Sequence, residues 1–306
     1  MIDWTMTHFR VFIRLIAPHA LLYTEMQTVG AVEHAPDKAL LFNAIEQPLA
    51  LQLGGSDPKK LAGSAQLAET LGFVEINLNL GCPSDRVQSG NFGACLMKSP
   101  DRVVECIKAI KDAVSIPVTA KTRIGIDKQD SYDFFADFVQ ELIAAGCDKL
   151  IVHARKAWLH GLNPKQNRTI PPVHYDYVYR IKKEFLDHPV VINGNINTLT
   201  EIEEHMKGVD GVMLGRLACQ NPYALAPIHR YFYPQTTTRS RAEVMTAYLS
   251  YAESQLEQGA HFSLLLKPLF NFAHGMSYAK YWKRLLAKAQ QSKDFLLLQE
   301  AAKQLY

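Results

Sequence analysis

No apolar stretch in this chain approaches the ~18 residues needed to cross a bilayer. The hydrophobic segment near the N-terminus is interrupted by Arg10, Arg14, Pro18 and His19, which spoils a signal-peptide core. A cytoplasmic protein without membrane association is expected. Cysteine is sparse: the five residues Cys82, Cys95, Cys106, Cys147 and Cys219 form no CxxC pair and no metal-ligand rhythm. Neither a disulfide framework nor a bound metal is expected from such a pattern. With 17 glycines and 15 prolines in 306 residues, the chain is neither linker-dominated nor fibrous, and no internal repeat is visible. What is present is globular composition, 48% hydrophobic and 21% charged, which excludes disorder. The length is about twice the ~150 residues of an average domain, enough for one large α/β domain or two domains.

The net charge of +3 says little as a total. Its distribution is less even: residues 239–306 hold nine Lys or Arg against five Asp or Glu, leaving 24 against 25 for residues 1–238. The positive end is C-terminal, which suits either a solvated helical face or a surface for a polyanion.

Short β-branched or apolar runs recur at Ala20–Glu25, Pro48–Leu53, Phe73–Leu78, Val118–Lys121, Lys149–His153, Val190–Asn193 and Gly211–Leu214. Segments of helical period separate them, among them Pro58–Leu71, Asp101–Val114, Ser131–Ala145 and Leu199–Met206. Alternating β and α units imply a parallel sheet. The runs read as apolar on both faces, and this length and regularity favour a (β/α)8 TIM barrel. The count is one strand short, because the chain passes from Met1–Thr5 directly into the helix-like stretch Thr7–Ile16. Beyond the polar break Tyr233–Thr238 the texture turns wholly helical, in four patterns: Ala242–Leu256, Phe262–Phe272, Tyr278–Ala289 and Lys293–Leu305. The expected organisation is therefore a barrel domain over 1–234 and a small C-terminal α-helical bundle over 235–306.

Reactive groups of such barrels sit at the C-terminal ends of the strands. Taken in order, those ends carry Glu25, Gln52, Asn79 with Cys82, Lys121 with Arg123, His153 with Arg155, Asn193-Gly194-Asn195 and Gly215-Arg216. The last two pairs fall where the fold commonly binds phosphate through backbone N–H groups, which glycine lets the anion approach; tight βα turns would ask for the same glycines. Lys121 would project an ammonium into the barrel mouth, where it needs an anionic partner. That partner is either the pyrimidine end of a reduced flavin or a structural carboxylate such as Glu75. His153 suits a cofactor contact or an ordinary hydrogen-bonded strand end. Cys82 differs from the other thiols in lying within the Gly/Pro-bounded loop Gly81-Cys82-Pro83. An ordinary thiol, of pKa about 8.5, is protonated at neutral pH and can act as a general acid. Two basic clusters stand out: Arg155, Lys156, Lys165 and Arg168 with Trp158, and Lys280, Lys283, Arg284 and Lys288 with Tyr281 and Trp282. Each alone is a common solvated surface; together they suit a folded RNA recognised by shape.

From Asn79-Leu80-Gly81-Cys82-Pro83-Ser84-Asp85-Arg86-Val87-Gln88 through Phe92-Gly93-Ala94-Cys95-Leu96-Met97, the sequence resembles the tRNA-dihydrouridine synthases, specifically their A subfamily. The likeness extends through Asp3-Trp4-Thr5, Leu22–Met26, Gln52–Gly55, Lys121–Asp127, His153–Trp158 and Asp210–Arg216, and more weakly into the helical tail. It implies an FMN-containing barrel that reduces uridine in tRNA to 5,6-dihydrouridine with NADPH, acting on D-loop positions 20 and 20a. Carried over residue by residue, the likeness makes Cys82 the proton donor to uracil C5 and Asn79 a contact to the target nucleotide. Gln52, Lys121, His153, Asn193, Gly194, Asn195, Gly215 and Arg216 match FMN contacts, and Lys165 and Arg168 match tRNA contacts. Lys280 and Lys283 are taken as further tRNA contacts on the tail. The expected sequence of events is reduction of FMN by NADPH, then hydride delivery to C6 with the proton from Cys82 to C5. The target base is turned out of the RNA to reach the barrel.

Two departures accompany the resemblance. Family members carry a strand ending Ala-Pro-Met ahead of the Asp-Trp-Thr motif, whereas here the chain opens at that methionine. A barrel lacking its first strand, with an open seam and fewer FMN contacts, is thus expected, and Met1 reads as a late or mis-assigned start. Asn195 stands where the family usually has glycine. The competing readings are an FMN barrel acting on a free pyrimidine and a tRNA-binding protein without turnover. A monomer is expected.

Overall fold

The computed structural model describes residues 1–305. Its strands are β1 (Leu22–Tyr23), β2 (Gln27–Thr28), β3 (Leu49–Gly54), β4 (Glu75–Leu80), β5 (Val118–Arg123), β6 (Lys149–His153), β7 (Val190–Asn193) and β8 (Gly211–Met213). They form one sheet in the order β1-β3-β4-β5-β6-β7-β8, with β2 also paired to β3 and the ladders from β2 to β8 parallel. Because β1 and β2 both run along β3, the sheet has seven ladder positions. Within this (β/α)8-type sheet, β8 has no strand partner beyond β7 among the described residues. Of the strand expected at Ala20–Glu25 only Leu22–Tyr23 is found, and the second short piece, Gln27–Thr28, lies beyond it, whereas the others fall within two residues of the apolar runs.

Two compact units make up the chain: Tyr23–Leu41 with Leu49–Leu214, and Met1–Leu22 with Phe42–Pro48 and Gly215–Tyr306. The first holds nearly all of the sheet and the helices that alternate with it. Several of those helices start where the sequence supplies side-chain caps. Asp57 accepts from the backbone N–H of Lys59 and Lys60 at 3.0 and 3.1 Å, with Pro58 at the first helical position. Ser131 caps Tyr132–Ala144, and Thr198 with Glu201 builds a reciprocal capping box on Leu199–His205.

The expectation of strands apolar on both faces is corrected by β4, which alternates Glu75, Asn77 and Asn79 with Ile76, Leu78 and Leu80. Direct parallel partners share a face, so the pairs Ile76 with Val118, Leu78 with Ala120 and Ala120 with Leu150 form a wholly buried apolar side. The other side gathers the polar groups, with Ala50, Ile151 and Val191 among them. Asn77 faces Thr119, Asn79 faces Lys121, Arg123 faces His153, and His153 faces Asn193. Burying Asn77 and Thr119 is tolerable because they are hydrogen-bonded to each other. Tyr23 and Thr119 donate to Glu75 Oε1 at 2.8 and 2.7 Å, and Lys149 pairs with Glu75 Oε2 at 2.5 Å.

The second unit has its own aromatic core. Phe12, on the helix Thr7–Ile16, meets Tyr248 and Phe272 edge-on at 5.1 and 5.0 Å between centroids. Tyr248 and Trp282 are fully buried and donate to the carbonyls of Leu265 and Leu269 at 2.9 and 2.8 Å, as buried polar aromatics must. No helix among the described residues is long and apolar enough to cross a membrane. No group of three or more His, Cys, Asp or Glu among them could hold a metal ion.

Candidate active site

The polar face of the sheet ends in a hydrogen-bonded row. Asn77 donates to Thr119 Oγ1, Gln52 Nε2 to Asn77 Oδ1 and Asn79 Nδ2 to Gln52 Oε1, each at 2.8 Å. Asn79 Oδ1 then accepts from the backbone N–H groups of Gly81 and Cys82 at 3.2 and 3.0 Å. This is the local turn that asparagine favours, and it fixes the loop bearing the thiol. From the next element, Ala94 N donates to Cys82 O at 2.9 Å. Gly93 has φ +76, and a Cβ there would lie 2.6 Å from Cys82 O, so only glycine lets this approach occur. Cys82 is partly exposed and sends its thiol toward Ser84 Oγ at 3.6 Å. The thiols of Cys106, Cys147 and Cys219 are buried, and burial raises their pKa to about 12. They are packing groups. Cys95 is partly exposed and lies 3.1 Å from Phe92 O.

Lys121 lies in register with Asn79, and its ammonium makes no hydrogen bond or ion pair with any described residue. Glu75, the carboxylate considered as its partner, is occupied by Lys149, Tyr23 and Thr119. Desolvation, with Arg123 adding to it, lowers the Lys121 pKa to about 7, against an opposing pull from Cys82. Arg123 is buried and has no carboxylate partner either. It donates to Gly81 O at 3.1 Å and Asn167 O at 3.0 Å, so one guanidinium joins the thiol loop to the following basic loop. Desolvation also lowers the Arg123 pKa, to about 9.

His153 is buried, and a Cβ on Gly194 would lie 2.6 Å from its ring. With φ +122 at Gly194 as well, the position admits only glycine. Asn195 follows at φ +57, a left-handed conformation that asparagine tolerates, so the chain keeps a glycine-like turn without glycine. Asn193 donates to Met213 O at 2.8 Å. Thus Gln52, Asn79, Cys82, Lys121, His153, Asn193, Gly194 and Asn195 all belong to the sheet-bearing unit. Gly215 and Arg216 belong to the other, where they open the five-residue helix Arg216–Gln220.

The basic clusters are corrected in part. Arg155 is buried and donates to Pro171 O, while Lys156 pairs with Asp130 at 2.6 Å and stands 4.4 Å over the Trp158 ring. These two cations hold the loop. Lys165 and Arg168 are the exposed pair. Buried Asn167 between them ties the loop to Trp158 and Leu162 through its side chain, at 2.8 to 3.0 Å. In the other unit Lys280 and Lys283 are exposed on the helix Ala279–Ser292, but Trp282 faces inward and cannot interleave with them. Sequence reasoning missed Asn167, Asn77 and the anchoring role of Arg123. Only for Asn77 was a signal available, in the alternation of β4.

The profile of the family described as "Dihydrouridine synthase (Dus)" matches residues 1–305. The chain is 49% identical to the tRNA-dihydrouridine(20/20a) synthase of Shewanella oneidensis, covering 94% of this chain and 86% of that one. The corresponding protein of Salmonella typhi is 48% identical over 99% of this chain and 92% of its own length. That of Synechocystis is 49% identical, covering 94% and 86%.

Proposed function

The chain belongs to the dihydrouridine synthase family, and we propose that it reduces uridine to 5,6-dihydrouridine in the D-loop of tRNA, at positions 20 and 20a. The observation that carries this reading is the unpartnered ammonium of Lys121 in register with Asn79, whose side chain fixes the loop of the only thiol set in a strand-end turn.

The residues present suit an FMN. A desolvated ammonium without a counter-ion asks for negative charge, and Gly194 and Asn195 turn their backbone through positive-φ conformations of the kind that build anion-binding concavities. Gln52, Lys121, His153, Asn193, Gly194 and Asn195 would hold the group; for Gly215 and Arg216 a flavin contact rests on the family likeness alone. When bound and reduced by NADPH, FMN supplies the hydride for uracil C6.

The chain's own residues do the rest. Cys82 holds the proton that goes to C5, and Asn79 sets the sulfur's position through the backbone N–H of residue 82. The side chain of Asn79 keeps one N–H free for the base. Lys165 and Arg168, with Lys280 and Lys283, take phosphates of the folded RNA, so their effect falls on binding rather than on the proton. In functional terms residues 1–234 carry the flavin and 235–306 supply helical contacts to tRNA.

The test is to purify the protein, read its flavin absorbance, and compare NADPH oxidation with unmodified tRNA and with free uracil. Turnover on tRNA alone is expected. Turnover on free uracil alone would transfer the reading to a pyrimidine reductase, and a colourless, inactive tRNA-binding protein would remove the chemistry.

A further inference from the structure

Ser84 occupies a helix start but does not act as a cap. It precedes the helix Asp85–Ser89 with the extended backbone of an N-cap, φ −71 and ψ 146, yet its hydroxyl accepts no hydrogen bond from that helix. A serine there ordinarily accepts from the N–H two or three residues on. Here only its carbonyl serves the turn, accepting from Val87 and Gln88 at 2.9 Å each. The hydroxyl instead receives the Cys82 thiol, with Sγ and Oγ 3.6 Å apart. Pro83 between them disfavours the α-region for Cys82, and Gln88 holds the Pro83 carbonyl at 2.9 Å, so the loop restrains the backbone that carries both side chains.

We propose that Ser84 is a positioning residue for proton donation by Cys82: it accepts from the thiol before reaction and turns to donate to the thiolate as the proton leaves. In that step the S–H bond breaks and a C5–H bond forms, while the hydride arriving at C6 supplies the other hydrogen added across the C5–C6 double bond. The Ser84 O–H stays intact, rotating toward the sulfur, and water returns a proton to the sulfur after product departs. A hydroxyl suits both roles because one rotor supplies acceptor and donor. Lys121 and Arg123 also face Cys82 electrostatically, but neither bonds the sulfur. The inference rests on Cys82 being the proton donor proposed above.

Ser84→Ala is an unusually clean probe, because the side chain has no cap bond to lose. The expected result is a fall in kcat of about tenfold or more, the scale of one hydrogen bond to a charged group, with KM for tRNA unchanged. Ser84→Thr should restore most of kcat. Alkylation of Cys82 by iodoacetamide, followed by mass spectrometry on the purified enzyme without tRNA, should slow several-fold in Ser84→Ala and recover in Ser84→Thr. Unchanged alkylation, or full kcat in Ser84→Ala, would overturn the proposal. Alkylation that depends on Ser84 in an enzyme forming no dihydrouridine would instead refute the assigned reaction while upholding the thiol contact.

Discussion

Replacing Lys121 by methionine keeps an unbranched side chain one atom shorter and removes its charge. Without flavin, the ammonium has no partner among the described residues, and burial, with Arg123, lowers its pKa from 10.5 to about 7. The unfolded chain then binds this proton more tightly than the folded one between about pH 7 and pH 10.5, so this group's contribution to stability rises with pH across that window. Integrating the displacement gives a gain of about 2 kcal/mol for the wild type relative to Lys121→Met between about pH 7 and pH 9. Urea unfolding of the flavin-free proteins at both pH values measures it. Near pH 7 the variant should be the more stable of the two, with the gap closing as pH rises. FMN placed beside the ammonium should return the proton's affinity and stabilise the wild type more near pH 7 than near pH 9. Parallel pH dependence in wild type and variant, with or without FMN, would refute the reasoning, because it would mean that Lys121 is solvated or already paired.

Gly194→Ala should destabilise the fold by about 1–3 kcal/mol and lower the flavin content, since φ there is +122 and the new Cβ would lie 2.6 Å from the His153 ring. Unfolding midpoints and absorbance near 450 nm, roughly the flavin band, read the two effects. Lys165→Ala and Arg168→Ala should raise KM for tRNA, leave kcat unchanged and reduce the slope of log affinity against log salt by about 1 per cation removed. Asn167→Ala removes three bonds to Trp158 and Leu162, so proteolysis of that basic loop should quicken and KM should rise as in the two cation variants.

The architecture was legible because strand and helix periods in this chain are clean. The expected helix Thr7–Ile16 is found with the same bounds, and Pro58–Leu71 and Leu199–Met206 differ by one residue at the end. The helix Tyr175–Glu184 was not read, because Tyr, Val and Ile in its sequence carry β-propensity that burial of Val178 and Ile181 overrides. The strand-end polar series was legible as a series, since side-chain period and strand direction together dictate which groups gather at one end of a parallel sheet. Partnership was not legible. Whether Lys121 or Lys149 holds Glu75, and whether Arg155 faces solvent or the Pro171 carbonyl, depends on groups far apart in sequence. Trp282 shows the same limit in the tail: helical spacing places it beside Lys280 and Lys283, but the core contacts that turn it inward come from Leu269 and Phe272.

The most direct measurement is a single-turnover reaction of flavin-loaded enzyme with unmodified tRNA, read by mapping dihydrouridine position by position, for the wild type and for Cys82→Ala. Dihydrouridine at positions 20 and 20a with the wild type, and its loss in a variant that still binds flavin and tRNA, is the predicted result. Undiminished product from Cys82→Ala, or no product from wild type with flavin and tRNA bound, would contradict the account.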